Sequence, residues 1–289
     1  MSRNPLIPKL LPLTNENYFS PEANRAYLSC SQFKEFKACE AAAFAHLIGE
    51  YEPPQSRALL LGSFVDAYFS GEFNQFVSEH NAELCKKSGK NAGEFYEDVQ
   101  KAFEACQRLD QEPLAHSLLS GRHQVIKTGR IAGVPFKCKV DSLLSAEKVR
   151  TIIRKFPSIQ KLVPFGGQII VDLKYMASLD PVWDDETQCH ISFAQYWGYD
   201  IQGAIYQKLV RREAPFVLCG ITKETYHRMF AIFIPDENLR AAMDEVEALA
   251  PRFQAIKTGR IAPTRCGKCP YCRSTARLTG ISPLQVNYD

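Results

Sequence analysis

Two carboxylates and one amine occur where phosphodiester chemistry would need them. Asp141 ends the segment 134–141, and Asp172 and Lys174 stand two residues apart in the segment 169–175. Both segments alternate apolar and polar residues, which predicts two β-strands with these groups on their polar faces. An acid and an amine on a mostly buried strand are costly to desolvate unless a metal ion or substrate uses them, and Mg²⁺ prefers carboxylate oxygens. The sequence therefore predicts a metal site on two strands.

Strand alternation also assigns the neighbouring residues to faces. The apolar face of the first segment carries Val134, Phe136, Cys138 and Val140, and its polar face carries Lys137, Lys139 and Asp141. In the second segment Ile169, Val171 and Leu173 form one face, and Asp172 and Lys174 lie on the other next to Ile170.

An aspartate at the end of a hairpin strand, followed by a strand with Asp-x-Lys, resembles the core of the PD-(D/E)XK nucleases. Asp-x-Lys alone is a weak signal, because a strand-end salt bridge explains most isolated matches. Further motifs in the family's order narrow the resemblance to the exodeoxyribonuclease VIII (RecE-like) and RecB-like exonucleases; the first is Ser29-x-x-x-Phe33 followed by Cys39. The resemblance implies an α/β fold, with a restriction-endonuclease-like mixed central sheet flanked by helices and the acidic row at one sheet edge.

The resemblance also implies a role for each residue of the two strands. Asp141 and Asp172 would hold one or two Mg²⁺ or Mn²⁺ ions, with the Leu173 carbonyl as a further ligand. Lys174 would orient or activate the attacking water. Two metal ions about 4 Å apart would stabilise both the attacking and the leaving oxygen of an in-line displacement.

A third acid lies on a helix predicted over 56–69. Gly62 and Asp66 share one face of that helix. The corresponding helix of the family carries Gly-x-x-x-His, and Asp66 stands where the histidine usually lies. Two roles stay open for Asp66: a third metal ligand, or an acid that only positions a water.

A long helix predicted over 191–212 places Gln195, Tyr199, Gln202 and Tyr206 on a single stripe. A polar and aromatic stripe is not typical of a core face. The Gln202-x-x-x-Tyr206 part is similar to the Gln-x-x-x-Tyr motif of RecB-like and RecE-like exonucleases, which implies that both side chains border the active site and contact DNA.

Cys266, Cys269 and Cys272 form a C-x₂-C-x₂-C run whose spacing is typical of metal ligands. Three thiolates need a fourth ligand. Iron–sulfur members of the RecB-like nucleases use one cysteine before the core and three after it, which implies Cys39 as the fourth, with Cys30 as the alternative. The run suits a [4Fe–4S] cluster, while zinc or an empty site remain open.

The other elements are predicted from periodicity and turn residues. A helix capped by Ser31 carries Phe33, Phe36, Ala43 and Leu47 at helical spacing, with Cys39 near its middle. A hairpin over about 124–144 turns at Ala132-Gly133. A strand pair over 216–223 and 227–234 and a helix over 235–256 follow.

Composition limits the class of protein. The 289 residues, 45% hydrophobic, predict one nuclease domain over 1–289 with a helical insertion at about 71–121 and a cysteine cluster at 266–272. Prolines interrupt the apolar residues of the first twenty positions, which argues against a signal peptide or membrane span and favours a cytoplasmic protein. Ten cysteines without a secretory signal argue against a disulfide framework.

The net charge of +3 says little about partners, but its distribution says more. Segments 122–139, 148–161 and 252–277 hold 5, 5 and 7 Lys or Arg residues and no Asp or Glu. Such segments suit a phosphate backbone, because each contacted phosphate releases counterions.

These observations together favour a metal-dependent DNA exonuclease that degrades linear duplex ends and leaves single-strand product. The resemblance further implies 5′ to 3′ polarity, phage-type recombination and a single-strand annealing recombinase as partner. A non-catalytic nucleic-acid binding module is the alternative, although the intact acids and amine argue against it. A purely structural metal protein would leave the polar strand faces unexplained.

Overall fold

The computed structural model describes residues 10–54, 56–163, 167–185, 187–210 and 214–277. Seven strands are found among them: β1 (Arg122–Ile131), β2 (Val134–Leu144), β3 (Ile169–Met176), β4 (Val182–Asp184), β5 (Cys189–Ile191), β6 (Phe216–Thr222) and β7 (Met229–Phe233). Five of these form a central sheet in the order β1-β2-β3-β6-β7, and β4 and β5 form a separate hairpin.

The helices of the described residues surround this sheet. They are α1 (Pro21–Ala26), α2 (Cys30–Ala38), α3 (Glu40–Leu47), α4 (Arg57–Ser70), α5 (Phe73–Glu79), α6 (Asn81–Leu84), α7 (Glu97–Gln111), α8 (Pro113–Leu119), α9 (Ala146–Lys155), α10 (Phe193–Tyr196), α11 (Tyr199–Val210), α12 (Asp236–Lys257) and α13 (Pro270–Ser274), with a 3₁₀ turn over Pro157–Lys161. None of them has both the length and the apolar character required to cross a bilayer.

The strand pairing is mixed, which confirms the predicted α/β fold with a central mixed sheet. β1 and β2 form the predicted antiparallel hairpin, turning at Ala132 and Gly133, whose φ angles are 47° and 78°. β2 pairs antiparallel with β3, β3 pairs parallel with β6, and β6 pairs antiparallel with β7. The parallel step from β3 to β6 requires a crossover, which the chain makes through α10 and α11.

The expectation that the acids lie at one edge of the sheet is wrong. Asp141 lies on the second strand and Asp172 on the third, because β6 and β7 extend the sheet beyond β3. A central strand is covered on both faces, so its polar side chains are removed from water more completely than those of an edge strand.

The alternation of β3 divides the core into two layers. Ile170 packs with α2, α11 and α12 on one face, whereas Ile169, Val171 and Leu173 pack with α4, α7 and α8 on the other. The predicted faces are thus correct, and Asp172 and Lys174 point to the Ile170 side, where α11 lies.

Two helices end where the sequence predicts that they continue. The N-cap of α2 is Ser29, whose Oγ accepts the N–H of Gln32 at 3.2 Å, and not Ser31. The helix stops at Cys39, which is extended with φ −164° and ψ 108°, and α3 starts at the next residue. Cys39 therefore lies at a junction between two helices, where its thiol is free of helical geometry.

The predicted long helix over 191–212 is also wrong as one element. Ile191 is the last residue of β5, and α10 is a single turn. Trp197 and Gly198 are not helical and separate α10 from α11. Gly198 has φ +61°, a conformation that favours glycine. Gln195 consequently does not share a stripe with Gln202 and Tyr206, and the predicted end at Arg212 lies outside the described residues.

Candidate active site and cysteine cluster

A cleft of about 430 Å³ opens beside β2 and β3, where the pairing between the two strands stops. Helices α2, α4 and α11 contribute the remaining walls. The cleft is lined by Asp66, Asp141, Leu173, Lys174, Gln202 and Tyr206, together with residues of α2 and α4. The structure thus brings together the predicted polar residues from four separate elements.

Asp172 is held by two side chains that line this cleft, Gln202 and Lys174. It is only 1% exposed. Gln202 Nε2 donates to Asp172 Oδ1 at 2.5 Å, and the Lys174 ammonium forms an ion pair with Oδ2. Oδ2 has no hydrogen bond of ordinary geometry among the described residues, so the ion pair is its main compensation.

The side chain of Asp141 hydrogen-bonds to β3 just beyond the point where the backbone pairing of β2 and β3 stops. The ladder between β2 and β3 ends at the pair Ser142 and Val171, so that Asp141, the residue preceding Ser142, is not paired with β3. From there the Asp141 carboxylate accepts the Leu173 N–H at 2.9 Å through Oδ2. Burial, followed by the charges of Asp172 and Asp66, raises the pKa of Asp141 well above its ordinary value.

Asp66 reaches the cleft from α4. Both of its oxygens accept from Gln124 Nε2, at 3.2 and 3.1 Å. Burial raises the pKa of Asp66 and the charge of Asp172 raises it further, while Lys139 opposes the shift. Gln124 lies on β1 with φ 52° and was missed by sequence analysis, since a single glutamine in a strand gives no signal.

Lys174 stays positively charged in this environment. Burial acts to lower its pKa, but the charges of Asp172 and Asp141 outweigh burial and hold the pKa above its ordinary value. The ammonium also lies 5.1 Å from the centroid of the Tyr199 ring. Behind it, Gly220 on β6 leaves room for the Lys174 carbonyl, since a Cβ there would lie 1.9 Å from that oxygen.

Tyr206 connects α11 to β2 one turn after Gln202. Its Oη donates to the Lys139 carbonyl at 3.2 Å. Burial raises the pKa of Tyr206 well above its ordinary value, with the charges of Asp172 and Asp141 adding to the effect. The Tyr206 phenol is therefore neutral and acts as a hydrogen-bond donor.

The three carboxylates have the ligand chemistry of a divalent metal site, although their oxygens do not all lie within 4.8 Å of one another as the four thiols described below do. Burial first, and then the charge of Asp172, raise the pKa of both Asp66 and Asp141, as expected for acids crowded together away from water. Their oxygens are hard ligands of the kind that Mg²⁺ and Mn²⁺ prefer. Leu173 lines the cleft with its N–H engaged by Asp141, and a ligand role for its carbonyl stays a prediction.

Comparison with known proteins places this geometry in a family. Residues 29–275 match the family described as "PDDEXK-like domain of unknown function (DUF3799)". The chain belongs to this family. A crystal structure of a protein described as a candidate exonuclease from Eubacterium rectale is similar over 95% of this chain and 97% of that chain, with 34% identity and a TM-score of 0.80. No curated protein sequence matches the chain significantly.

The predicted membership of the PD-(D/E)XK superfamily is thereby confirmed. The fold and the structural neighbour support a nuclease, and a nuclease acts on nucleic acid.

A second group of potential metal ligands lies apart from the acids of this PDDEXK-like chain. The thiols of Cys39, Cys266, Cys269 and Cys272 all lie within 4.8 Å of one another, and no other such group of three or more His, Cys, Asp or Glu ligand atoms occurs among the described residues. Cys39 Sγ is 3.6 Å and Cys266 Sγ is 3.9 Å from Cys272 Sγ. Cys30 lines the carboxylate cleft instead.

Backbone amides point at the sulfurs of this cysteine cluster. The Cys269 N–H donates to Cys266 Sγ at 3.3 Å, and the Cys272 N–H donates to Cys269 Sγ at 3.4 Å. The N–H groups of Cys269 and Lys268 lower the pKa of Cys266 to about 6. A thiolate stabilised in this way is the form that binds a metal ion.

Contacts outside the sulfurs dock the cluster onto α3. Arg252 Nε and Nη2 donate to both oxygens of Glu40, at 2.5 and 2.7 Å, and the Thr264 N–H donates to Glu40 Oε2 at 2.7 Å. The Tyr51 and Tyr271 rings lie 5.2 Å apart. The C-terminal run is thus positioned by polar and aromatic contacts as well as by its thiols.

The basic segments are less available for phosphate than their charge count suggests. Lys137 is 1% exposed and donates to the carbonyl of Tyr18, and Lys257 is bound by three oxygen acceptors. Arg252 is paired with Glu40. These three cations hold the protein together, which corrects the interpretation of every basic residue in 122–139 and 252–277 as free for DNA.

Proposed function

We propose that this chain is a divalent-metal-dependent exodeoxyribonuclease that hydrolyses phosphodiester bonds of linear duplex DNA from its ends. The observation that carries the proposal is the meeting of Asp66, Asp141 and a charged Lys174 in one cleft, with the buried Asp172 bound to Lys174. An arrangement of three acids around an ammonium is unfavourable for folding alone, and perturbed groups of this kind cluster at functional sites.

Asp141 and Asp172 would hold the metal ion or ions, with Asp66 as a third acid steered by Gln124. When bound, Mg²⁺ or Mn²⁺ supplies Lewis-acid activation of water and neutralises charge that develops on the phosphate oxygens. The double hydrogen bond from Gln124 fixes the orientation of the Asp66 carboxylate, which lines the same cleft as Asp141. This favours a ligand or water-positioning role for Asp66 over a packing role.

Lys174 acts as a cation in this proposal. Because its pKa lies above the ordinary value, the amine is protonated at neutral pH and does not accept a proton from water. The ammonium is able to donate hydrogen bonds to a water molecule and to a phosphate oxygen. Of the two predicted roles, orientation of the attacking water is therefore favoured over its activation by proton removal.

Gln202 and Tyr206 act through other residues. The Gln202 amide fixes one oxygen of Asp172, and the Tyr206 hydroxyl fixes the backbone of Lys139. Both are positioning residues that hold the carboxylate and a nearby lysine in place for the strand. Contact with DNA itself, which the motif implies, stays part of the proposal.

The remaining details rest on the resemblance to RecE-like exonucleases. They are 5′ to 3′ polarity, end resection in phage-type recombination, a single-strand annealing recombinase as partner, and a cytoplasmic location. The alternative is a nucleic-acid binding module that keeps the nuclease fold without activity. The retained acids and Lys174 disfavour this alternative.

Degradation of plasmid DNA tests the proposal. Linear plasmid with Mg²⁺ or Mn²⁺ should be degraded while covalently closed circular plasmid survives, and EDTA should stop the reaction. Oligonucleotides labelled at either end give the polarity. Binding of DNA without any degradation in Mg²⁺ or Mn²⁺ would favour the non-catalytic module, and cleavage of the circular form would contradict an exonuclease.

For the cysteine cluster we propose a single tetrahedral metal ion, with zinc as the expected occupant. A tetrahedral ion about 2.3 Å from each thiolate separates the sulfurs by about 3.8 Å. The separations of 3.6 and 3.9 Å agree with that value. A [4Fe–4S] cluster gives each cysteine its own iron and so holds the sulfurs farther apart than one shared ion does.

Metal analysis of protein purified without oxygen separates these occupants. One equivalent of zinc and a colourless solution support the single ion. A brown protein with about four iron atoms would instead establish the [4Fe–4S] cluster that the sequence pattern suits.

A further inference from the structure

Phe19 presents its ring to solvent from a firmly held backbone. The side chain is 71% exposed. The Phe19 carbonyl accepts Asn24 Nδ2 at 3.2 Å, and the preceding carbonyl, of Tyr18, accepts the Lys137 ammonium. The next residue, Ser20, caps α1. Phe19 is therefore fixed from both sides, although its ring is not packed into the core.

Two buried lysines maintain this part of the chain. Lys137 also donates to Asn24 Oδ1 at 2.8 Å. Lys257 donates to the carbonyls of Asn24 and Tyr27 at 2.8 and 2.6 Å and to Gln32 Oε1 at 3.0 Å. Neither lysine forms an ion pair within the described part of the chain, and burying an ammonium without a carboxylate is costly.

A lone exposed apolar ring is common on protein surfaces and needs no explanation by itself. The Phe19 ring differs because a cation and a second ring accompany it. The Lys139 ammonium lies 5.4 Å from the Phe19 centroid and 5.9 Å from that of Tyr18. The two rings meet edge to face, with centroids 4.9 Å apart.

Lys139 connects this ring pair to the acids. It lies on the same face of β2 as Asp141 and two residues away, about 7 Å along the strand. Its charge acts on Asp66, whose pKa it lowers, and Tyr206 fixes its carbonyl. Lys139 therefore lies between the ring pair and Asp141, while the ring pair itself lines a separate pocket beside α1 and α2.

We propose that Phe19 and Lys139 form a subsite for the nucleotide next to the phosphate that is cleaved. Phe19 stacks on the base, and Lys139 binds the phosphate of that nucleotide. Both faces of a base inside a duplex are covered by its neighbours, so the ligand is an unpaired base at a frayed end or in a single strand. The inference rests on the proposed nuclease function and adds to it a single-stranded substrate subsite.

A cycle of protein and DNA changes tests the stacking contact directly. Fluorescence anisotropy measures Kd for a labelled single-stranded oligonucleotide, with Ca²⁺ replacing Mg²⁺ so that the strand is bound rather than degraded. Phe19→Ala should weaken binding by about 5- to 100-fold, the range expected for loss of one stacked base. Phe19→Trp should retain binding, and the melting temperature of both variants should match the wild type.

Oligonucleotides with one abasic position at a time locate the stacked base. At one position, the strand that lacks a base should bind the wild type as weakly as the intact strand binds Phe19→Ala. At that same position, removal of the base should not weaken binding to Phe19→Ala any further. Lys139→Gln should keep the abasic effect and reduce the salt dependence by about one released counterion.

Tyr226→Ala is the matched control. Tyr226 is 88% exposed, and within the described residues its side chain makes no ring or cation contact. It should bind every oligonucleotide as the wild type does. A loss equal to that of Phe19→Ala would show a general effect of exposed rings and overturn the subsite.

The outcomes separate this inference from the proposed function. Suppose that the wild type degrades DNA but that, at every position, the losses of binding caused by Phe19→Ala and by removal of the base simply add. The proposed subsite is then wrong, and the proposed nuclease function is unaffected. If the wild type neither binds nor degrades any DNA, the proposed function fails and the subsite fails with it.

Discussion

The carboxylate cleft and the cysteine cluster are assembled in opposite ways. The acids come from two strands of the central sheet and a helix, and the fold buries them near one another, so that burial first and then like charge raise the pKa of Asp141 and Asp66. Three of the four thiols come from one seven-residue run, where backbone amides already stabilise the sulfurs. The fold brings the acids of the cleft together, and this crowding lowers the stability of the folded protein. The cluster would instead raise that stability once a metal ion is bound.

Helix α2 connects the two regions. Cys30 and Lys34 line the cleft from this helix, and Cys39 lies directly after its last residue. Lys34 Nζ donates to the Trp197 carbonyl at 3.1 Å, before α11 begins. A metal ion at Cys39 would therefore fix one wall of the cleft from a distance. Changes in the cleft should affect activity first, and changes in the cluster should affect stability first.

The largest effect is expected for Asp172→Asn. Loss of this charge removes a metal ligand and the partner of Lys174, so the rate of linear DNA hydrolysis should fall by at least about 10³-fold. Lys174→Ala should have a similar effect, since the ammonium that orients water is lost. Rates under saturating Mg²⁺ measure both changes.

The comparison predicts that these variants remain folded. The Asp172→Asn melting temperature should fall only modestly, because the loss of the buried ion pair with Lys174 is offset by relief of repulsion among three acids while the Gln202 contact is kept. DNA binding should also survive. Hydrolysis at the wild-type rate in either variant would exclude these residues from the active site.

Cys39→Ser should show the reverse pattern. Without the fourth thiolate the metal no longer closes the loop from Cys39 to Cys266, and the free energy of unfolding should fall by about 3 to 5 kcal/mol. Activity per folded molecule should fall by less than about 10-fold, because Cys39 does not line the cleft. Metal content and chemical denaturation measure the two effects.

Cys189→Ser is the matched control for this change. Cys189 is exposed on β5 and is not part of the cluster. It should leave metal content and stability unchanged. Retention of a full equivalent of metal by Cys39→Ser would remove Cys39 from the ligand set.

The features that sequence analysis predicted correctly are those with a local period. Alternation alone placed Asp172 and Lys174 opposite Val171 on β3, and the turn residues Ala132 and Gly133 placed the hairpin. These patterns depend on residues only two positions apart, so they can be recognised without knowledge of the rest of the fold.

The features that it missed depend on distant contacts. The helical spacing of the sequence continues through Cys39 and Gly198, yet a helix is interrupted at each of them. Cys39 belongs to the cysteine cluster, and Gly198 lies beside the Lys34 side chain. The hydrogen bonds of Gln124 to Asp66 join residues 58 positions apart, and no local sequence pattern predicts them. Charge counting could not show that Lys137 is buried.

Asp66→Asn sharpens the comparison within the cleft. If Asp66 is a metal ligand, activity should fall about 10- to 100-fold and should recover in part when Mg²⁺ is raised. Gln124→Ala should cause a smaller loss of the same kind, because it only releases the Asp66 carboxylate. Activity measured against Mg²⁺ concentration distinguishes ligand loss from a general defect. An Asp66→Asn rate that equals the wild type at every Mg²⁺ concentration would return Asp66 to a structural role.

The smallest effect is expected for Lys257→Met, in the contact that holds the segment leading into α2. Loss of the ammonium leaves two carbonyls and the Gln32 side chain without their donor, but it also removes a buried charge. The free energy of unfolding should therefore fall by only about 1 kcal/mol at neutral pH. Activity should stay near the wild-type value, because the acids and Lys174 are unchanged.

The pH dependence of this difference identifies its cause. Burial, with a smaller effect of the Lys137 charge, lowers the pKa of Lys257 to about 7. In the unfolded chain the pKa is about 10.4, so between these values the unfolded chain binds more protons, and this residue makes the wild type more stable as pH rises. Lys257→Met lacks that contribution, and the stability difference between the two proteins should grow from pH 7 to 9. Lys101→Met, at an exposed position, should show no such growth. A difference that stays constant or shrinks with rising pH would show that Lys257 is charged throughout and held by its three acceptors.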